Sequence, residues 1–151
     1  MKVCEMTIQA ILMNWLMDNK HHEFVIPNST VIFPWESDLI SVTNALLSHE
    51  YEIKLNFADY KRDAKKLFKH SVMGTDLGPS YFWYVTNDFD IDPPTNAGWI
   101  KMVPRGSDWM TVNVKREAPR LHTVKLSPRK QSAVTRLLSW RLTNMMKLKV
   151  T

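Results

Sequence analysis

Apolar residues at Ile8, Ile11, Leu12, Trp15 and Leu16 recur at the i, i+3, i+4, i+7, i+8 spacing of an amphipathic helix. This predicts a helix from about Glu5 to Asp18, with Glu5 falling between Leu12 and Leu16 on the inward face. A carboxylate there needs a partner, or water at the helix start. Further on, the period changes. Thr30 to Phe33 reads as a β-like run ended by Pro34, and Asp38 to Thr43 as a strand. A short loop over Asn44 to His49 leads into Tyr51-Glu-Ile-Lys-Leu-Asn-Phe57, the clearest alternation in the chain. There Tyr51, Ile53, Leu55 and Phe57 share one face of a strand, and Glu52, Lys54 and Asn56 share the other.

The spacing then predicts a helix over Asp59 to His70, with Tyr60, Ala64, Leu67 and Phe68 on its buried stripe and Lys61, Lys65 and Lys69 on a second one. Gly74 and Gly78-Pro79 mark a loop. Strands are expected at Tyr81 to Val85, Gly98 to Val103 and Trp109 to Val114, the last two joined by a turn at Pro104-Arg-Gly-Ser. Ser127-Pro128 opens a final helix running to about Lys147. Val134, Leu137, Leu138, Leu142 and Met145 lie on one arc of it, a core or dimer seam, and Met13, Met17, Met145 and Met146 are expected to fill core gaps. This order of elements predicts one α/β domain over residues 1–151, a mixed β-sheet covered by helices on both faces.

A carboxylate followed two residues later by lysine occurs at Asp18-Asn-Lys20, Glu52-Ile-Lys54, Asp59-Tyr-Lys61 and Asp63-Ala-Lys65. Only Glu52-Ile-Lys54 lies on an expected strand, where both charges share a face. The other three sit on helices or helix ends, where residues i and i+2 do not face each other. If strands 38–43 and 49–54 pair as a hairpin, the simplest register sets Asp38 opposite Lys54 and Ile40 opposite Glu52. Asp38 and Glu52 then stand diagonally, roughly 7–8 Å apart along the backbone, and converge on one small cation. Two carboxylates, the Ile53 carbonyl and waters make the oxygen shell that Mg²⁺ prefers, with Mn²⁺ as its substitute. Lys54 would position water or neutralise charge on a phosphate. The alternative is a solvent-facing strand whose charges have no task.

Charge sharpens this picture. The 151 residues carry a net charge of +5. Residues 1–100 hold 8 Lys and Arg against 13 Asp and Glu, and residues 101–151 hold 12 against 2. The basic segment suits a polyanion and the acidic one metal or proton chemistry, although a solvated basic helix explains the first equally well. One cysteine, Cys4, excludes an intrachain disulfide and suits a reducing compartment. The apolar stretch Ile8 to Met17 is too short to span a bilayer, so no membrane association is expected and a cytoplasmic place is, the host cytoplasm if the gene is a phage's. His21-His22-Glu23 suggests zinc only weakly, because adjacent loop histidines point apart; surface positions are expected for them, and His49 and His70 are isolated.

Asp38 and Glu52-Ile-Lys54 resemble the motif of the PD-(D/E)XK nuclease superfamily. The run from Glu36 through Asn56, Asp59-Tyr60 and Asp63 to Lys66 is similar to a branch of small stand-alone phage and bacterial nuclease-like proteins. The resemblance covers about residues 5–103. It implies a restriction-endonuclease-like, three-layer α/β/α core and a Mg²⁺-dependent DNA endonuclease with Asp38, Glu52 and Lys54 as catalytic residues. Glu5 would be the extra acid on the first helix, and Ser37 stands where the motif has Pro. A homo-oligomer is expected, since cutting both strands takes two sites. Candidate DNA contacts are Asn56, Lys61, Lys65, Lys69, Arg129 and Arg136, with Lys115, Arg116, Arg120 and Lys147 as further phosphate-tracking cations. Two other classes stay open: a non-catalytic DNA-binding or repair accessory protein on the same fold, and an interaction protein whose basic tail binds an acidic partner. Removal of Asp38 or Glu52 is expected to leave the fold intact, by relieving repulsion between carboxylates.

Overall fold

The stripe at Ile8, Ile11, Leu12 and Leu16 forms a helix, α1 (Glu5–Asp18), with the bounds its periodicity predicts. The computed structural model describes residues 3–63 and 66–150. α1 buries this stripe against Val25, Leu39, Tyr51, Ile53 and Val85 of the sheet. That sheet holds β1 (Phe24–Ser29), β2 (Ser37–Val42), β3 (Ser48–Lys54), β4 (Tyr81–Asn87), β5 (Gly98–Arg105) and β6 (Trp109–Arg116), in that spatial order. β1, β2 and β3 form an antiparallel meander, β4 and β5 run parallel to β3, and β6 returns antiparallel. The protein is therefore α/β, with one mixed sheet.

Several expected boundaries move, each for a local reason. The strand before β2 is Phe24–Ser29, not Thr30–Phe33. Pro27 is tolerated because β1 is an edge strand, where a missing ladder donor faces no partner. Ile32 and Phe33 are buried with Ile26, Ile40 and Val42, so an irregular segment reaches the core without being a strand. Ser48 and His49 belong to β3, because Thr43 to Leu47 close the hairpin with Leu46 at a φ of 63°. β3 ends at Lys54, and Phe57 opens a helix in place of the strand's last residue.

The expected helix over 59–70 is two short ones, α2 (Phe57–Asp63) and α3 (Leu67–Ser71). Lys66 leaves the helical region, with φ −79° and ψ 66°, and this bend turns α3 back toward β3. Tyr60 is half-buried and Phe68 is 61% exposed, so neither of these two joins the expected buried stripe fully. Ala64, Lys65 and the side chain of Leu67 lie outside the described residues.

The last helix, α4 (Pro128–Val150), starts where Ser127 Oγ accepts the N–H of Lys130 at 3.2 Å. Val134, Leu137 and Leu138 pack with Ile26, Ile40 and Val42, on the sheet face opposite α1. The Arg141 guanidinium then donates to the carbonyls of Pro27 and Asn28 on the edge strand. Beyond it Leu142, Met145 and Met146 are exposed, so the second half of the predicted arc lies outside the core. Met17 is exposed as well; of the expected gap-fillers only Met13 packs against the core. Among the described residues no helix is long and apolar enough to cross a membrane.

Candidate active site

β2 and β3 are paired from Val42↔Ser48 to Leu39↔Tyr51, with Ile40 opposite Glu50. This register is two residues away from the one expected. A shift of two preserves every side chain's face, so Asp38, Glu52 and Lys54 still share one side of the sheet. Beyond Leu39 the ladder stops, and Asp38 Oδ2 accepts the Ile53 N–H at 2.8 Å in place of a strand-to-strand bond. On α1, Gln9 Nε2 donates to the Asp38 carbonyl at 2.8 Å and lies 3.4 Å from Glu5 Oε1, which brings the first helix's carboxylate to the same corner. Burial, followed by the nearby charges of Glu52 and Glu5, pushes Asp38 up to about 7, against the opposing pull of the Ile53 N–H and Lys54.

Glu52 lies in the opposite electrostatic setting. Its Oε1 meets Lys54 Nζ at 2.9 Å and Lys66 Nζ at 2.6 Å, and its Oε2 meets Lys69 Nζ at 2.6 Å. Burial alone would raise its pKa, but the ammonium groups of Lys69 and Lys54 overcome this and hold it below the usual carboxylate range. Asp63 closes the other side. It meets Lys54 at 3.3 Å, Lys66 at 3.2 Å and His70 at 3.1 Å, and accepts the Tyr84 hydroxyl at 2.6 Å. Burial opposes its charge too; the Tyr84 bond and the lysines win and keep it ionised. Glu50, fully buried, accepts through Oε1 from Trp35 Nε1 at 2.8 Å, Ser37 Oγ at 2.9 Å and Lys69 Nζ at 2.9 Å. Its Oε2 has no partner among the described residues, and burial raises its pKa.

The buried network therefore sets Glu50, Glu52 and Asp63 against Lys54, Lys66 and Lys69. Asp38, with Glu5 nearby, has no ion pair among the described residues. Glu50, Asp63 and Tyr84 were not singled out from sequence. The signal for Glu50 was available, since Glu50, Glu52 and Lys54 alternate along one strand; Asp63 stood out only within Asp63-Ala-Lys65 and the resembling run, and Tyr84 not at all, because the fold alone brings α2 and β4 to Glu52.

Several expected contacts prove otherwise engaged. Lys69, expected on a DNA-facing stripe, is buried between Glu50 and Glu52. Arg116 clasps the carbonyls of Pro93, Pro94 and Ala97. Asn56 Oδ1 accepts the Asp59 N–H at 2.9 Å at the start of α2. Lys61, Lys115, Arg120, Arg129, Arg136 and Lys147 are exposed. Lys65 lies outside the described residues. His22 is not a surface group: it bonds Ser41 Oγ at 2.7 Å and packs on His49, on the α1 side of the sheet. Burial, then the charge of Lys20, holds His22 down at about 4, and burial holds His49 at about 3, so both rings are neutral near pH 7. His49 stacks with Tyr81 and accepts from Trp83, facing away from the carboxylates. Among the described residues no three His, Cys, Asp or Glu side chains are grouped to hold a metal ion.

Fold and site together define an α/β protein with a single mixed sheet and a carboxylate–lysine cluster buried on one of its faces. No protein-family model and no curated protein matches the chain. In fold it is similar to the SPO1766 protein of unknown function from Silicibacter pomeroyi, at a TM-score of 0.61 and 13% identity, over 97% of this chain and 92% of that one.

Proposed function

We propose that this protein is a Mg²⁺-dependent DNA endonuclease of restriction-endonuclease-like, three-layer α/β/α build, with Asp38, Glu52 and Lys54 as its catalytic residues. One observation carries the reading: Asp38 is tied to the Ile53 N–H beside Glu52 and Lys54, at the point where β2 and β3 part. Strand divergence opens a place for a substrate atom that a continuous ladder would fill.

The residues fit a cation held by two carboxylates, with water and phosphate oxygens completing its shell. Asp38 Oδ1 accepts no hydrogen bond among the described residues. Glu52 Oε1 is shared by Lys54 and Lys66; the half-exposed Lys66 side chain can withdraw without disturbing buried packing, which leaves Lys54 beside the ion. The Ile53 carbonyl belongs to the same corner. The bound ion would supply an acidified water and polarise the scissile phosphate. Lys54, held between Glu52 and Asp63, would place its ammonium against the charge that develops on phosphorus-bound oxygen. Glu5 would add negative charge near Asp38. Lys61, Arg129 and Arg136 supply exposed cations for the DNA backbone, and a homo-oligomer would supply the second site for a double-strand cut.

A second reading has its own observation. Both oxygens of Glu52 are occupied by ammonium groups, as in a charge network that stabilises a fold and has no catalytic task. This favours a non-catalytic DNA-binding or repair accessory protein. Incubating the purified chain with supercoiled, linear and branched DNA, in Mg²⁺, Mn²⁺, Ca²⁺ and EDTA, separates the two. Cutting in Mg²⁺ that is lost in Asp38→Asn, and in Lys54→Ala shown by circular dichroism to remain folded, supports the endonuclease. Salt-sensitive binding with no cutting of any DNA under any metal transfers the function to the accessory reading.

A further inference from the structure

Beside Glu52 opens a pocket of about 360 Å³, lined by Trp35, Glu36, Lys66, Phe68 and Lys69. Lys66 and Lys69 belong to both places, since their ammonium groups bind Glu52 and both residues line the pocket. The Trp35 ring is fixed before any ligand arrives: its indole N–H is bonded to Glu50 Oε1, and Phe33 stacks behind it at 5.5 Å and 13°. Phe68 stands edge-on to Trp35 at 6.2 Å and 80°, yet remains 61% exposed. A phenylalanine this open on a five-residue helix contributes little to the core, and its free face is an apolar surface aimed at whatever enters.

The chemistry of the walls selects the occupant. Lys69 is committed to Glu50 and Glu52 and Lys66 to Glu52 and Asp63, so the pocket offers an incoming phosphate little unbalanced positive charge. It offers two aromatic rings and, at the rim, the exposed carboxylate of Glu36, which only accepts hydrogen bonds. A flat, uncharged ring that donates through an amine meets all of these. A base inside a duplex cannot, because its faces are stacked and its amine is paired.

We propose that the Trp35–Phe68 pocket receives one unpaired nucleobase bearing an exocyclic amine, next to the candidate cleavage site, so that the substrate is single-stranded or branched DNA. This rests on the nuclease reading for the choice of nucleic acid as ligand. The stack is made on Phe68, and Glu36 reads the amine.

Fluorescence anisotropy in EDTA, with labelled dA and dT homo-oligomers and a blunt duplex, tests the pocket apart from catalysis. The wild type is expected to bind single strands more tightly than the duplex, and dA more tightly than dT, which lacks the amine. Phe68→Ala is expected to weaken single-strand binding roughly ten-fold or more, as the loss of one base–aromatic stack, with duplex binding unchanged. Phe68→Tyr restores it, and Glu36→Ala removes the preference for dA. No single-strand binding by the wild type, no effect of Phe68→Ala, or an equal loss on single strands and duplex each overturns the proposal. If the binding pattern holds while no metal supports cleavage, the nuclease reading fails and the base pocket stands.

Discussion

Asp38 Oδ2 accepts the backbone N–H of Ile53 at 2.8 Å, and by this bond a side chain of β2 takes over a main-chain donor that the β2–β3 ladder releases. The same bond fixes where the carboxylate stands relative to Glu52. It satisfies one oxygen of a half-buried acid without neutralising its charge, and the remaining balance of forces on Asp38 favours a proton.

That balance has a pH signature. Asp38 moves from 3.8 to about 7 on folding, so between those values the folded chain holds a proton that the unfolded chain has lost. Stability contributed by Asp38 is therefore full below about pH 4, falls as pH rises toward about 7, and is flat above. Asp38→Asn removes the slope and is more stable than wild type at pH 8, on the order of 1–3 kcal/mol after allowance for partial exposure. Urea midpoints from pH 4 to 8 measure this; parallel curves for the two proteins would assign the slope to other groups.

Glu52 behaves in the opposite sense. Lys54 and Lys69 are each 5% exposed and both are bound to it, so Glu52→Ala leaves buried ammonium groups short of a counter-charge. A cost of about 3–5 kcal/mol is expected, against the sequence-based expectation of an intact fold. Glu52→Gln keeps an acceptor and costs less. Chemical denaturation of both variants decides it, and near-wild-type stability of Glu52→Ala would show that the network carries little energy. Loss of cutting in Glu52→Ala alone is thus no evidence for catalysis.

Lys66 competes with any cation for Glu52 Oε1, which it meets at 2.6 Å. Under the metal-dependent reading, Lys66→Ala should tighten Mg²⁺ and Mn²⁺ binding several-fold. Isothermal titration without DNA reads this directly, and unchanged or weaker metal affinity would place the ion away from Glu52.

Lys61 and Arg136 are exposed, while Lys69 is sequestered. If the first two touch phosphates, each removal lowers the slope of log K against log salt by about one. Unaltered slopes in Lys61→Ala and Arg136→Ala would place the DNA elsewhere. Lys69→Ala should instead show itself as lost stability.

Gly98 opens β5 where another chain segment presses against it. A Cβ there would lie 2.5 Å from Trp83 Cε3 and 2.7 Å from the Ala118 nitrogen. The backbone contact cannot be relieved by a rotamer change, so Gly98→Ala is expected to cost about 1–3 kcal/mol, seen as a lower melting temperature. A melting temperature equal to wild type would mean that the 117–120 segment yields freely.

What the sequence alone determined are the features set by local period. α1 is specified by five apolar residues at helical spacing, and the shared face of Glu52 and Lys54 by the two-residue repeat of a strand. That repeat also explains why Asp38 reached the correct face although its register was expected two residues away. Ser127-Pro128 marked the start of α4 because capping is a matter of adjacent residues. Only tertiary structure decided the rest. The strand at 24–29 was not expected, and its tolerance of Pro27 depends on β1 being at the sheet's edge. The stripe of Lys61, Lys65 and Lys69 was expected to face DNA, yet Lys69, with Lys66 three residues before it, turns toward Glu50, Glu52 and Asp63. Periodicity reports which side of its own element a residue occupies. It cannot report which charge from a distant element faces that side, and in a buried site the energy of an ionised group is set by that partner.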